Sequence, residues 1–367
     1  MAVTWIRWGR ATRRGAPAAV LAASFVVAGP AAPGGPGGAA LAQEPGGHEE
    51  FVLEDPRIRE SSGLQASHRH PGVYWTHNDS DYAPEIYGVD SATGETVATV
   101  TLQGVEFRDV EAIHLGPDGD LYVGDIGDNL DGGWPHVWIY RFAEPAELAD
   151  TALTPTVYTV QYEDGPRDAE ALMVDPVSGL VHLASKKRDG SGAVYRQPEQ
   201  LTTEGVNTFS RHFDTDLWVT DGAFSPDGSR LLLRGYFGAE LFRWDDGAAE
   251  SIGLVRVPLQ PQGESVTFTP DGTTLMFGSE GERSLVTPVE LEGDQRPDDV
   301  VAREEAAQEQ EEGDRGGGAA GGSRGDGDGL LDGLGRAALY AGIGLAGVVL
   351  VGALLRARAA GGGRRRR

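Results

Sequence analysis

One unit recurs along the middle of the chain: an acidic residue, a short apolar run, a turn built on proline or glycine, and a second apolar run. Its copies read ESSGLQASHRHPGVYWTHND from Glu60, EAIHLGPDGDLYVGD from Glu111, EALMVDPVSGLVHLASK from Glu170, DGAFSPDGSRLLLR from Asp221 and ESVTFTPDGTTLMFGSE from Glu264. The leading acids fall roughly fifty residues apart, a period that specifies a repeat architecture. Alternating runs joined by such turns are hairpins. Most copies continue with two more strand-like runs, EIYGVD and TVATVTL after the first, HVWIYRF and TVYTVQY after the second, AELFRW and ESIGLVRV after the fourth. Four short strands per unit make a propeller blade. The fifth copy offers only a third strand, SLVTPVE at 284–290, before the chain turns polar. Its fourth is available at the other end, in EFVLED at 50–55, because FVLEDPRIRESSGL matches VQYEDGPRDAEAL in order and spacing. The expectation is an all-β propeller of five four-stranded blades, closed by an N-terminal strand that removes an exposed sheet edge. A sixth blade within the long second repeat stays open at this stage.

The two ends lie outside that pattern. Residues 1–42 run from Arg7, Arg10, Arg13 and Arg14 through the apolar APAAVLAASFVVAG to small residues at Ala40–Ala42. That order is the one of a secretory signal, with cleavage expected before Gln43; an uncleaved N-terminal anchor is the alternative. After the propeller domain, 43–292, the segment 293–336 is acidic and glycine-rich and reads as a stalk without a core. Residues 337–355, AALYAGIGLAGVVLVGALL, carry no charge and as a helix would span about 29 Å, one hydrocarbon core. Six arginines follow within 356–367, so the positive-inside rule puts that tail in the cytoplasm and the propeller outside a cell membrane crossed once.

Charge narrows the partners. The formal net charge is −25, and ten of the 31 basic residues belong to the two ends while all 56 acids lie between them. Such a surface repels nucleic acid and favours cations or basic partners. The blocks WTHNDSD, RDVEAIHLGPDGDLYVGDIGDN and DAEALMVDP resemble a family of exported bacterial β-propellers, related in pattern to NHL, WD-repeat, TolB-like and phytase-like propellers and mostly without known activity. The resemblance covers residues 50–292 and implies the propeller fold without implying one reaction.

In a propeller, the start of each blade's first strand and the end of its second meet at one face. This places Glu60 near Asn78 and Asp79, Glu111 near Asp125 and Asp128, Glu170 near Lys186, Asp221 near Arg234, and Glu264 near Glu280. The stretch GDIGDN, 124–129, then sits at the rim of an axial funnel. Carboxylates stacked on carboxylates are unfavourable unless a cation neutralises them or one keeps its proton. A hard cation, calcium or another divalent ion, fits Glu60, Asp79, Glu111, Asp125, Asp128, Asn129 and Glu264; their spacing is not that of an EF-hand loop. The competing role for the leading acids is to accept amide hydrogen bonds from the next blade and lock the ring. Lys186 and Arg234 are candidate ligands for a substrate phosphate or carboxylate. His77, beside Trp75, is a candidate acid, base or ligand. Between 43 and 292 there is neither G-x-S-x-G nor H-E-x-x-H, and the chain has no cysteine, so thiol and zinc-thiolate chemistry is excluded. Three readings remain: a surface-anchored binding propeller for a small-molecule or protein ligand, a metal-dependent phosphoesterase or lactonase, and a structural envelope protein.

Overall fold

A computed structural model describes residues 48–317 except 81, 131, 188 and 189, with side chains up to 310. The expected signal segment and the apolar stretch 337–355 lie outside the described residues, and among those described no helix is long and apolar enough to cross a membrane. The chain enters through β1 (Phe51–Val52). Blade 1 follows as β2 (Ser61–Ala66), β3 (Val73–Asn78), β4 (Glu85–Asp90) and β5 (Thr96–Leu102). Blade 2 comprises β6 (Val110–Leu115), β7 (Asp120–Asp125) and β8 (Val137–Ala143). A short β9 (Thr151–Leu153) then crosses to pair parallel with β5, and β10 (Thr156–Tyr162) completes blade 2. Blade 3 is β11 (Ala169–Val174), β12 (Val181–Ser185), β13 (Gly192–Arg196) and β14 (Val206–Thr215). Blade 4 is β15 (Val219–Phe224), β16 (Arg230–Gly235), β17 (Gly238–Asp245) and β18 (Ala248–Val255). Blade 5 is β19 (Gly263–Phe268), β20 (Thr274–Ser279) and β21 (Leu285–Glu290).

The fourth strand of blade 5 is β1, which pairs Phe51 with Val286 and Val52 with Leu285, antiparallel. First strands touch in cyclic order, β2 with β6, β6 with β11, β11 with β15, β15 with β19 and β19 with β2. The five blades therefore stand around one axis as a propeller, with blades 2 and 3 joined at their outer strands by parallel pairing of β10 with β14. The extra length of the second repeat goes into the 126–136 loop and β9, and among the described residues it holds no further blade.

Burial follows from this arrangement. The five first strands are covered on both faces and are buried at every position, whereas an outer strand such as β10 alternates between buried and exposed residues. The apolar side chains gather into five clusters. Trp75 and Ile86 meet Ile113 and Val123 between blades 1 and 2, and Leu172 and Tyr195 meet Val137 and Val160 between blades 2 and 3. Phe51, Leu53 and Tyr74 meet Met276 and Val286 where the ring closes.

One irregularity recurs in every blade. Val110 pairs with Asp125 but Ala112 with Gly124, so Glu111 is an extra residue on the first strand. The same two-against-one step leaves Glu170, Thr220 and Glu264 as extra residues in blades 3, 4 and 5, and it falls within Ser62 and Gly63 opposite His77 in blade 1. A β-bulge re-aims the side chain it inserts.

The polar segment after blade 5 begins as helix α1 (Asp298–Gly317), where composition leads one to expect no structure. Asp298 and Asp299 favour its positive N-terminus, and the run EEAAQEQEE is made of strong helix formers. The Asp298 amide donates to Ser229 Oγ at 3.0 Å, the Asp299 amide donates to Asp227 Oδ2 at 3.1 Å, and Val300 is buried.

Closure by so short a strand makes a specific demand on Phe51, which packs on Tyr74 with ring centroids 5.0 Å apart. Phe51→Ala is expected to cost about 3 to 5 kcal/mol in urea unfolding, as for other buried phenylalanines. A loss below about 1 kcal/mol would mean that β1 is a frayed end and not part of the ring.

Candidate functional site

The side chains inserted by the bulges do not all carry acids. Ser62, Glu111, Glu170 and Glu264 line one axial cavity of about 220 Å³, together with Asp79, Asn129, Lys186, Tyr236, Gln262 and Glu280. Of these, Asp79, Lys186, Tyr236 and Glu280 each directly follow the residue that closes a second strand, so two rings of positions converge on the axis. The register explains why the leading acids of the sequence repeat are not equivalent. Glu60 stands two residues before Ser62; burial raises the pKa of Asp79 and Glu280, and the Glu60 charge adds to both shifts. Asp221 falls one residue past the bulge and turns sideways: its carboxylate accepts the Val266 amide of blade 5 at 2.7 Å. The ring-locking role is thus real for Asp221, while Glu111, Glu170 and Glu264 face the funnel.

Asp79, Asp109 and Glu111 form the densest cluster, each offering a carboxylate oxygen within 4.8 Å of the others. Asn129 Nδ2 donates to both oxygens of Asp109 at 3.1 Å, Ser80 Oγ donates to Asp79 at 3.0 Å and also to Asp109, and Ser62 Oγ donates to Glu111 at 2.8 Å. The glycines of GDIGDN have a direct reason here. A Cβ on Gly127 would lie 2.6 Å from Glu111 Oε1 and 2.7 Å from Asp109 Oδ2, so only glycine lets the loop pass beside the two carboxylates.

Burial, and next the Asp109 charge, push Asp79 up to about 7. Burial followed by the Glu170 charge raises Glu111 well above the carboxylate range. On the opposite wall Lys186 Nζ lies 2.7 Å from Glu170 Oε1. Burial opposes the lysine's charge, but Glu170 holds the ammonium above its ordinary value. Tyr236 donates to Glu264 Oε1 at 3.0 Å, and Glu264 Oε2 is buried without a hydrogen-bond partner. Burial raises Glu264 to about 7.

Several expected ligands serve the scaffold instead. Asp125 accepts the amides of Arg108 and Asp109 at 3.2 and 2.9 Å and the Tyr140 hydroxyl at 2.9 Å, as Asn78 accepts the amides of Arg59 and Glu60 in blade 1. Asp128 accepts the amides of Leu130 and Trp134 and so shapes its own loop. Arg234 is 1 % exposed, and its guanidinium holds the Ser265 and Gly278 carbonyls of blade 5 and Gln260 Oε1. Burial lowers Arg234 to about 10; it staples two blades and does not reach the funnel. His77 is fully buried against Gly63 and Ile113 between blades 1 and 2, and burial lowers it to about 4. Of the seven metal candidates, Asp79, Glu111, Asn129 and Glu264 line the funnel, Glu60 flanks it, and Asp125 and Asp128 do not face it. Lys186 alone of the three anion and acid–base candidates is in place. Asp109 lies outside the expected set, although the pairs Arg59–Glu60, Arg108–Asp109 and Arg167–Asp168 mark one repeated position two residues before the bulge in blades 1 to 3.

Larger clefts, of about 360 and 530 Å³, open on the turn side of the ring. Three of their acids are committed: Asp175 accepts the Val177 amide and the Ser178 hydroxyl, Asp227 the Ser229 and Asp299 amides, and Glu144 the Ser67 hydroxyl and Trp75 Nε1.

No family model and no curated protein matches the chain. Among solved structures it is similar to a chain of the mitotic checkpoint complex, at 12% identity and a TM-score of 0.36 over 63% of each chain. It spans less than two thirds of that chain's length. A candidate 6-phosphogluconolactonase from Bacteroides uniformis gives 15% and 0.37, covering 64% of this chain and 69% of that one. The PQQ-bound aldose sugar dehydrogenase of Streptomyces coelicolor gives 11% and 0.39, covering 67% and 99%. Likeness at this level assigns no chemistry.

The raised carboxyl groups fix the sign of a pH effect. The folded protein keeps protons on Asp79 and Glu264 up to about pH 7, whereas the unfolded chain releases them near the ordinary values of 3.8 and 4.5. These two groups therefore lose their stabilising contribution as pH rises through that window. Buried His77 and His114, each lowered to about 4, act in the opposite direction below about 6.5. The metal-free protein is thus expected to lose melting temperature between about pH 6.5 and 8, where the histidine effect has ended, and Glu264→Gln to flatten that slope. A melting temperature that rises over the interval would contradict the assigned burial.

Proposed function

We propose that the protein is an extracytoplasmic, membrane-anchored propeller that recognises its ligand at the axial funnel, with a divalent cation, calcium first, held by Asp79, Asp109 and Glu111. The observation that carries this reading is the approach of three carboxylate oxygens within 4.8 Å. Oxygens on opposite sides of a calcium ion at about 2.4 Å stand about 4.8 Å apart, so such a cluster is the size of a cation's shell. Five of the ten lining side chains are carboxylic acids and one is a lysine, so an ion also relieves their mutual repulsion. Asn129 and Ser80 orient the Asp109 carboxylate.

Calcium at a hundredfold excess over its dissociation constant is expected to stabilise the protein by about 2.7 kcal/mol. Asp109→Asn and Asp79→Asn are each expected to abolish that shift, and Lys186→Ala to leave it. Identical melting curves with calcium and with chelator would remove the cation from the account.

A metal-dependent hydrolase is the second reading, favoured by Glu264, which lines the cavity and carries an oxygen without a hydrogen-bond partner, as suits a general base. Its test is calcium-dependent turnover of lactones or phosphate esters that Glu264→Gln reduces by about 100-fold or more. Absence of turnover leaves the binding reading in possession of the site.

A further inference from the structure

The funnel has two halves. Asp79, Asp109 and Glu111 belong to blades 1 and 2, while Glu264 and Glu280 come from blade 5. Among the described residues the second pair has no direct ion-pair partner: the lining ammonium, Lys186, contacts Glu170 at 2.7 Å and acts on Glu264 and Glu280 only through space. Glu264 is 4 % exposed, and its Oε2 is left without a hydrogen-bond donor. Two large exposed apolar side chains belong to the segments that supply this half's lining residues Tyr236 and Gln262. Phe237 is 91 % exposed and follows Tyr236, the residue that donates to Glu264. Leu259 is fully exposed in the connection between blades 4 and 5. That connection is pinned, since Gln260 Nε2 donates to the Phe277 and Leu285 carbonyls at 2.9 and 3.2 Å. Exposed apolar residues scattered singly need no explanation, but two on the segments that carry lining residues next to a carboxylate pair without a direct ion-pair partner form a composite surface.

We propose that this half of the funnel docks a polypeptide segment that inserts an arginine side chain between Glu264 and Glu280 and lays apolar neighbours on Phe237 and Leu259. Charge complementarity selects the basic side chain. Arginine is favoured over lysine because its planar fork matches carboxylates and stacks on an aromatic ring such as Phe237. A small free amine satisfies the carboxylates but leaves Phe237 and Leu259 in water, which is why the occupant is a polypeptide. The chain's strongly negative charge would speed its capture. This rests on the funnel as the binding centre, though not on the cation.

The test is calorimetric titration of the full chain with acetyl-Gly-Leu-Arg-Leu-Gly-amide, the same peptide with citrulline for arginine, and argininamide, each in calcium and in chelator. The arginine peptide is expected to bind with a dissociation constant below about 1 mM and the citrulline peptide at least about tenfold more weakly. Glu264→Gln should weaken the arginine peptide by about tenfold, and Phe237→Ser, a surface change that spares the fold, by about threefold without altering argininamide. No binding, equal binding of the two peptides, or indifference to Glu264→Gln overturns the proposal. Argininamide as tight as the peptide overturns the polypeptide and leaves a small-amine site. Calcium titrated in parallel separates the two readings: Asp109→Asn should lose the ion and keep the peptide.

Discussion

The insertion of one extra residue near the start of each first strand is the constraint from which the site follows. A regular strand at that place directs its side chains onto the two faces of the blade, where neighbouring blades bury them. The bulge breaks the alternation once, and Ser62, Glu111, Glu170 and Glu264 reach the axis. Thr220 is the exception, because its hydroxyl donates to the Gly263 carbonyl and stitches blade 4 to blade 5. Beyond the bulge the first strands return to their pattern, and their inner edges are satisfied across blade boundaries: Gln65 accepts the Leu115 amide and Asp221 the Val266 amide.

Those cross-blade bonds have an electrostatic consequence. Arg234 and Arg108 are both engaged outside the funnel, the first on blade 5 carbonyls and the second stacked 3.6 Å from the Trp134 ring centroid. The scaffold thereby leaves five lining acids facing one lining ammonium, Lys186. What remains is an enclosed, polar, cation-seeking space on a rigid frame, with one ion pair, Lys186 with Glu170, dividing it.

Much of this was legible in the sequence, and the reasons are physical. Period-2 alternation and PDG turns located the strands: EIYGVD and TVYTVQY are β4 and β10 to the residue, and the match of FVLED with VQYED found the closing strand. The convergence of Glu111, Glu264, Asp79 and Lys186 also followed from hairpin geometry alone. Two things did not. A bulge shifts register by one residue and leaves no signature in hydrophobicity, so Glu60 and Asp221 looked equivalent to Glu111 although they lie on either side of the inserted position. Nor does sequence tell a carboxylate that caps backbone amides, such as Asp125 or Asp128, from one that faces an open cavity, because both roles select the same residue beside the same glycines.

The measurement closest to the central claim is anomalous diffraction from crystals soaked in manganese. Convergence of the two halves of the first two blades predicts one strong peak on the axis, within about 2.6 Å of oxygens from Asp79, Asp109 and Glu111. A funnel without a peak at saturating ion, or a peak at the Asp125 and Asp128 loop instead, would contradict it.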